Sequence, residues 1–336
     1  MAIILDDITH RSAFYPFTNI CTLADIRMGV FTFSERWSKL TNDSIYVSSE
    51  TEHDESYKYH EKFAANVLPT DSRWNDGRLM EVVSPWEIIL KNTIAIELDF
   101  KLITENRYSN PLSNTNNILN ASSVFAEKGV KAEFVTFNAT EGPIYIGKNA
   151  EIMEGSIIRG PVAICEGAII KMGSRIYGGT TIGPYCVAGG EIKNSILSGF
   201  SNKSHDGYLG DSIIGQWCNL GAGTSNSNVK NTAGVIKVWN NEKMDFVSGS
   251  KKCGLLMGDY SKCAINTSFN TGTTVGTCCN IFGNGFPSKH VKNFSWGEKD
   301  IYTLEKAIDD INNWKQMKGK YITEKEKSSL KKIYTN

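Results

Sequence analysis

Isoleucine returns at every sixth residue from Ile146 through Ile152, Ile158, Ile164, Ile170 and Ile176 to Ile182. Four places after each come Ala150, Ser156, Val162, Ala168, Ser174, Thr180 and Cys186. A period of six fits neither the ~3.6 of a helix nor the ~2 of a flat strand. It suits a chain that turns a corner after every short strand. Three such strands make one triangular coil, with one aliphatic and one small side chain per six residues pointing inward to stack on those of neighbouring coils. The pattern predicts a parallel β-helix.

The period fails after Cys186, because Ala188 takes the next aliphatic place and Asn194 the one after. It resumes at Ile214 and Leu220, with Cys218 and Thr224 in the small places. A second gap runs from Ser225 to Gly254, and the period returns at Met257, Cys263, Phe269, Val275 and Ile281. Both gaps read as excursions from the coil, where solenoids build their binding sites. Beyond Phe286-Pro287, Asp300 to Lys318 spaces Ile301, Leu304, Ile308, Ile311 and Trp314 by threes and fours. That spacing predicts an amphipathic helix capping the open end of the coil. Residues 319–336 are lysine-rich and read as a second short helix or a loose tail.

Upstream, Ala2 to Leu5 is an apolar run ending at Asp6 and Asp7, as in a buried first strand of an α/β domain. A loop from Arg11 to Gly29 follows, then a predicted helix from Thr32 to Lys39. Asp6 and Asp7 are either magnesium ligands or an ordinary pair of strand-end carboxylates. The stretch from Ser44 to Arg78 is polar and mixed. Ser84-Pro85-Trp86-Glu87 marks a helix start, with the helix running to about Phe100. Asn106 to Asn120 carries six asparagines and reads as a connector. The expected division is an α/β domain at 1–105, a linker at 106–121, a β-helix at 122–296 and a helical segment at 297–336.

The 336 residues suffice for a repeat domain plus a second domain of moderate size. Thirty-six basic residues balance thirty-six acidic ones, which removes any global argument for nucleic-acid binding. A local basic patch for a phosphorylated ligand remains open. No apolar run approaches the ~20 residues that span a bilayer, and a cytoplasmic protein without a membrane partner is expected. Of the eight cysteines, Cys186, Cys218, Cys263 and Cys279 fall on repeat places, and none forms a C-x-x-C pair. They read as small buried hydrophobes.

Chemistry-bearing residues gather around the first gap. Glu191-Ile192-Lys193 is followed by His205-Asp206-Gly207-Tyr208-Leu209-Gly210-Asp211 and by Asn219-Leu220-Gly221-Ala222-Gly223-Thr224. From Arg175 to Thr224, without a gap, the chain resembles the acetyltransferase half of the bacterial bifunctional N-acetylglucosamine-1-phosphate uridyltransferase and glucosamine-1-phosphate acetyltransferase family. The resemblance implies a left-handed coil, with acetyl-CoA and a sugar phosphate as small-molecule partners. It further implies a homotrimer with sites between adjacent coils. His205 matches the general base that takes a proton from the attacking amine, and Glu191 is a second catalytic candidate. Arg175, Glu191, Lys193, Tyr208 and Asn219 match the sugar-phosphate pocket. Gly221, Ala222 and Gly223 would lie along the acetyl-CoA groove, with a backbone N–H for the thioester oxyanion; the alternative is a tight coil with no room for Cβ atoms.

In sugar-nucleotide transferases a Gly-rich loop after the first strand holds the nucleotide phosphates, yet no glycine precedes Gly29 here. Arg11 and Arg27 either supply nucleotide-binding charge in its place or are merely solvated or ion-paired. The first domain is also about half the length that the resemblance implies, so it is expected to be a truncated nucleotidyltransferase-like unit, with Mg2+ if active. Pro85-Trp86-Glu87, Asn280-Ile281-Phe282-Gly283 and Phe294-Ser295-Trp296-Gly297 look similar to a variant group of two-function enzymes of the same pathway. Three functions follow as expectations: an N-acetyltransferase acting on a hexosamine phosphate, a sugar-1-phosphate nucleotidyltransferase using UTP or dTTP, or a non-catalytic sugar-nucleotide-binding scaffold.

Overall fold

The computed structural model describes residues 2–48, 61–69 and 79–335, so much of the polar stretch 44–78 lies outside the described residues. The isoleucine ladder winds into the expected parallel β-helix. Ile146 lies beside Ile164 and Ile164 beside Ile182, one coil apart. Ile152 likewise lies beside Ile170, and Ile158 beside Ile176. All seven isoleucines and the seven residues four places after them are at most 1% exposed. Each inward side chain meets its counterpart on the next strand, ~4.8 Å away. One apolar column therefore runs from Val124 to Val291.

Among the described residues the prism has three walls. A docking face of nine strands runs from Val124–Ala126 to His290–Val291, and an open face of ten runs from Lys131–Ala132 to Asp300–Ile301. A site face of six strands runs from Asn117–Leu119 to Tyr208–Gly210, and Ser225–Asn226 with Ser268–Phe269 form a separate pair farther along the chain. The coil begins inside the stretch read as a connector, since Asn117–Leu119 already pairs with Thr136–Asn138. The asparagines there have a structural use. Asn116 donates to Ala132 O at 2.8 Å and accepts from Val135 N at 2.9 Å, closing the first turn where no earlier coil supplies partners.

The first gap is not an excursion. Ile182 lies beside Leu197, Ala188 beside Lys203 and Leu197 beside Ile214. The chain thus returns after 15 to 17 residues instead of 18, and never leaves the coil. Corners have shortened: two residues, 189 and 190, separate Val187–Ala188 from Glu191–Lys193, where four separate Ile169–Ile170 from Arg175–Ile176. The second gap is a true excursion but starts later, after Ser225–Asn226. It forms a hairpin of Lys237–Asn240 with Asp245–Ser248 and re-enters at Leu255–Met257.

The N-terminal region is a small parallel sheet in the order Ser44–Ser48, Ala2–Asp6, Glu61–Ala64. Helix α1 (Phe33–Thr41) starts at a capping box in which Thr32 and Glu35 exchange hydrogen bonds. Helix α2 (Pro85–Thr104) begins where Pro85 predicts and runs four residues past Phe100. This region lies on the docking face. Asn92 of α2, fully buried, accepts from Gly29 N at 2.7 Å and donates to Gly179 O at 2.7 Å and Thr181 Oγ1 at 3.1 Å. One core unites Ile3, Leu5, Trp37 and Ile88 with Ile196, Ile213 and Leu256 of the coil and Ile236 and Val238 of the excursion. The outward apolar residues of this face are therefore covered by the chain itself.

Helices α3 (Leu304–Gln316) and α4 (Glu324–Thr335) do not cap the end of the coil, contrary to expectation. They lie along a corner, where Ala307, Ile311 and Leu330 bury Trp217, Tyr260, Cys278 and Phe294. Lys318 Nζ reaches back to Tyr185 O at 2.8 Å. The reason is the left-handed backbone of that corner, φ 56° at Tyr185, 55° at Phe200 and 58° at Trp217. Their rings stack outward at 5.1 and 4.4 Å between centroids, an apolar ridge that the stripe of a ~20 Å helix covers lengthwise.

Candidate functional site

Because successive strand residues alternate in and out, burial of Ile176, Ile192 and Leu209 turns Arg175, Glu191, Lys193 and Tyr208 outward on the site face. The register does the rest. Arg175 lies beside Glu191 and Glu191 beside Tyr208, so three consecutive coils stack them in a column. Arg175 Nε stands 3.5 Å from Glu191 Oε2, both side chains partly exposed. Lys193 occupies the neighbouring column, beside Gly210. These four residues stand on coil strands rather than on a loop.

Tyr208 folds its ring over Gly210. A Cβ at Gly210 would sit 2.5 Å from the ring's Cζ, so the glycine makes room for the tyrosine. The phenol oxygen accepts from Asn228 Nδ2 at 3.2 Å, which leaves its own proton to donate outward. Asn228 also donates to Asp211, a buried carboxylate that accepts from Asn194 Nδ2 at 2.6 Å. Burial and the neighbouring Asp211 and Glu191 charges push the Tyr208 phenol up to about 12, so it stays protonated. Asn228 is a site residue that sequence reading missed. It sits where the chain leaves the coil, beyond the alternation that marks Tyr208 as outward.

His205 stands on the corner 204–207 that leads onto the site face, exposed, and its ring has no hydrogen-bond or ion-pair partner among the described residues. Asn219 is not in the column. It lies on the open face between Asn202 and Lys262, across the corner from Tyr208. The candidate residues therefore straddle one edge of the prism, with His205 on the edge itself.

Gly221 and Gly223 are small because of the next coil. A Cβ at Gly221 would lie 2.5 Å from the Ala264 carbonyl carbon, and Gly223 has φ 74°. Gly221 N donates to Cys263 O at 3.1 Å and Gly223 N to Asp206 O at 3.0 Å. Ala222 N–H, between them, has no partner among the described residues. It alone of the three remains available to an oxyanion.

The N-terminal candidates turn inward. Arg11 pairs with buried Asp7 and donates to Thr18 O and, at 3.1 Å, Cys21 O. Arg27 donates to Val30 O and lies 3.5 Å from Glu35. Asp7 accepts from Leu23 N as well as Arg11, while Asp6 accepts from Ile8 N at 2.9 Å and pairs with Lys62 at 3.2 Å. With their oxygens so engaged, Asp6 and Asp7 do not fit a magnesium ion. Among the described residues no group of three or more His, Cys, Asp or Glu gathers as metal ligands would.

The coil and its cornered constellation define a hexapeptide-repeat β-helix protein with an α/β region packed on one wall. Within that class the chain is GlmU-like. It is 39% identical over 89 residues to the bifunctional protein GlmU of Methanocaldococcus jannaschii, a match covering 26% of this chain and 21% of that one. It is 30% identical over 240 residues to the bifunctional sugar-1-phosphate nucleotidylyltransferase/acetyltransferase of Sulfurisphaera tokodaii, 68% of this chain and 52% of that one. The chain thus spans about half the length, or less, of these curated relatives. A solved Arabidopsis UDP-N-acetylglucosamine acyltransferase superposes only loosely, with TM-score 0.20 and 13% identity over 67% of this chain and 90% of that one. No family model matches.

Proposed function

We propose that the chain is an acetyl-CoA-dependent N-acetyltransferase acting on an amino-sugar phosphate of the glucosamine-1-phosphate kind, in UDP-N-acetylglucosamine and cell-envelope precursor synthesis. The observation that carries this reading is the column of Arg175, Glu191 and Tyr208 beside Lys193, with exposed His205 on the adjoining edge. Arg175 and Lys193 offer two cations to a phosphate, and Glu191 holds Arg175 within the column. The free Tyr208 proton donates to a sugar oxygen, and Asn219 meets the ligand from across the edge. His205 takes the proton from the amine as it attacks the thioester, and Ala222 N–H receives the developing oxyanion.

A homotrimer belongs to the proposal, because the edge bearing His205 lies away from the wall that the N-terminal region covers. So does a cytoplasmic location. All eight cysteines are free, as a reducing compartment keeps them, and no helix among the described residues is long and apolar enough to cross a membrane. Nucleotidyl transfer, also in the name of the Sulfurisphaera relative, is left out because Arg11, Arg27, Asp6 and Asp7 are engaged within the chain. Thiol release from acetyl-CoA with glucosamine-1-phosphate tests the reading. The wild type is expected to turn over and His205→Ala to lose ~100-fold or more in kcat. An inactive wild type, or a fully active His205→Ala, would overturn it.

A further inference from the structure

Lys203 stands where the coil needs an aliphatic side chain. It lies in register with Ala188, faces inward and is 2% exposed. Its Nζ forms no salt bridge among the described residues; it donates to two main-chain carbonyls, Gly189 O at 3.1 Å and His205 O at 2.5 Å. Burying an unpaired cation is costly, so its presence needs a physical cause.

The shortened corner supplies one. At the regular corner 171–174, the Lys171 carbonyl accepts the hydroxyls of Ser174 and, at 3.0 Å, Ser156. Those two serines occupy small places of the repeat. The corner 189–190 lacks the residue that would carry such a hydroxyl, and Ile192 follows Ala188 directly in the core. Gly189 O is left without a local donor. Lys203, one coil further on, threads its stem through the vacated space and brings the amine to that carbonyl. The full-length corner 204–207 overhangs the short one, so the same amine also catches His205 O.

We propose that Lys203 is a positioning residue for His205, tying the main chain of that exposed corner to the corner beneath it and so setting where the imidazole stands. The role rests on the acetyltransferase reading. The His205 carbonyl has no other donor among the described residues, and its ring has no anchor of its own. Desolvation pulls the Lys203 ammonium down to about 8, with Asp206 and Cys263 drawing it partly back. A neutral amine still has two N–H groups for two carbonyls, so the tie persists through that titration.

Lys203→Met keeps the apolar stem and removes the donor; Lys203→Gln keeps a shorter donor. Amide hydrogen exchange across 204–207 is expected to quicken by about 10-fold in Lys203→Met and less in Lys203→Gln, with 171–174 unchanged. In thiol release, kcat should fall ~10- to 100-fold in Lys203→Met, with KM for the sugar phosphate within ~3-fold and partial recovery in Lys203→Gln. If Lys203→Met does not fold, faster exchange confined to 204–207 in Lys203→Gln supports the tie by itself. Unchanged exchange there in the folded variants refutes it. So does a rise in KM that matches the fall in kcat alongside faster exchange throughout the coil. Should the wild type release no thiol, the acetyltransferase reading falls and exchange at 204–207 alone decides whether Lys203 holds the corner.

Discussion

Gly210→Ala separates the geometry of the site from the stability of the coil. The added methyl would lie 2.5 Å from Tyr208 Cζ and 2.6 Å from Cε1, against the ~3.5–4 Å of an ordinary carbon contact, so the ring must move by about 1 Å. Gly210 does not have a positive φ, so its backbone accepts alanine. The obstacle is a partly exposed side chain that can swing outward, which keeps the folding cost low. Losing the Asn228–Tyr208 bond costs ~0.5–1.5 kcal/mol, and the stiffer unfolded chain returns ~0.4–1 kcal/mol. Thermal melts should therefore move by only a few degrees. The displaced phenol also forfeits its proposed bond to the sugar, ~0.5–1.5 kcal/mol or about 2- to 12-fold in kcat/KM. The Asn228 bond is lost in free and substrate-bound enzyme alike and does not enter. Thiol-release kinetics against sugar-phosphate concentration measure it, and adding Tyr208→Phe to Gly210→Ala should cost little more. A kcat/KM within ~2-fold of wild type would refute contact between Tyr208 and substrate. An unfolded variant would refute the claim that the ring yields.

Asn92→Ala should cost ~2–4 kcal/mol in urea unfolding, because it strands Gly29 N–H and Gly179 C=O at a buried junction. Ile164→Ala, in the middle of the ladder, should cost ~2–5 kcal/mol by the same measurement. Lys193→Met should raise KM for a phosphorylated amino sugar by ~10-fold or more while leaving that for the unphosphorylated sugar unchanged, read by thiol release. Burial pushes Asp259 from 3.8 up to about 7, with Gln216 N–H donating to it and Cys21, Glu326 and Asp25 nearby. Its folded form favours the proton, so this contribution is full below about pH 4 and is lost as pH rises through about 7. The loss is up to about 4 kcal/mol, and Asp259→Asn should flatten it in unfolding measured from pH 4 to 8.

Much of the fold was legible because its strongest signals are local. Thr32 with Glu35 and Pro85 announce their helices through bonds and dihedrals within one turn. The end of α2 was less so, since Lys101, Leu102, Ile103 and Thr104 offer no stop signal at Phe100. The break after Cys186 was misread for a definite reason. A deleted corner residue and an inserted loop disturb a six-residue period alike, and only the pairing of Ile182 with Leu197 tells them apart. Of the candidate site, Arg175, Glu191 and Tyr208 assemble as a column with Lys193 in the one beside it, while Asn219 lies across the edge from them. Arg11 and Arg27 could not be sorted by charge alone, because carbonyls of Thr18, Cys21 and Val30 take up their donors.

By itself the sequence determined the β-helix. Each inward isoleucine meets its own counterpart one coil later, so the condition for burial repeats along the chain and is written as a period. Tertiary structure alone decided which wall is covered, which edge is free and what lies beneath His205. Asn92 on Thr181, Asn228 on Tyr208, Ile311 along the ridge of Trp217 and Lys203 under the His205 corner are each set by contacts that occur once. A contact made once leaves no period to read, because the residues that make it meet only after the coil has brought their strands together.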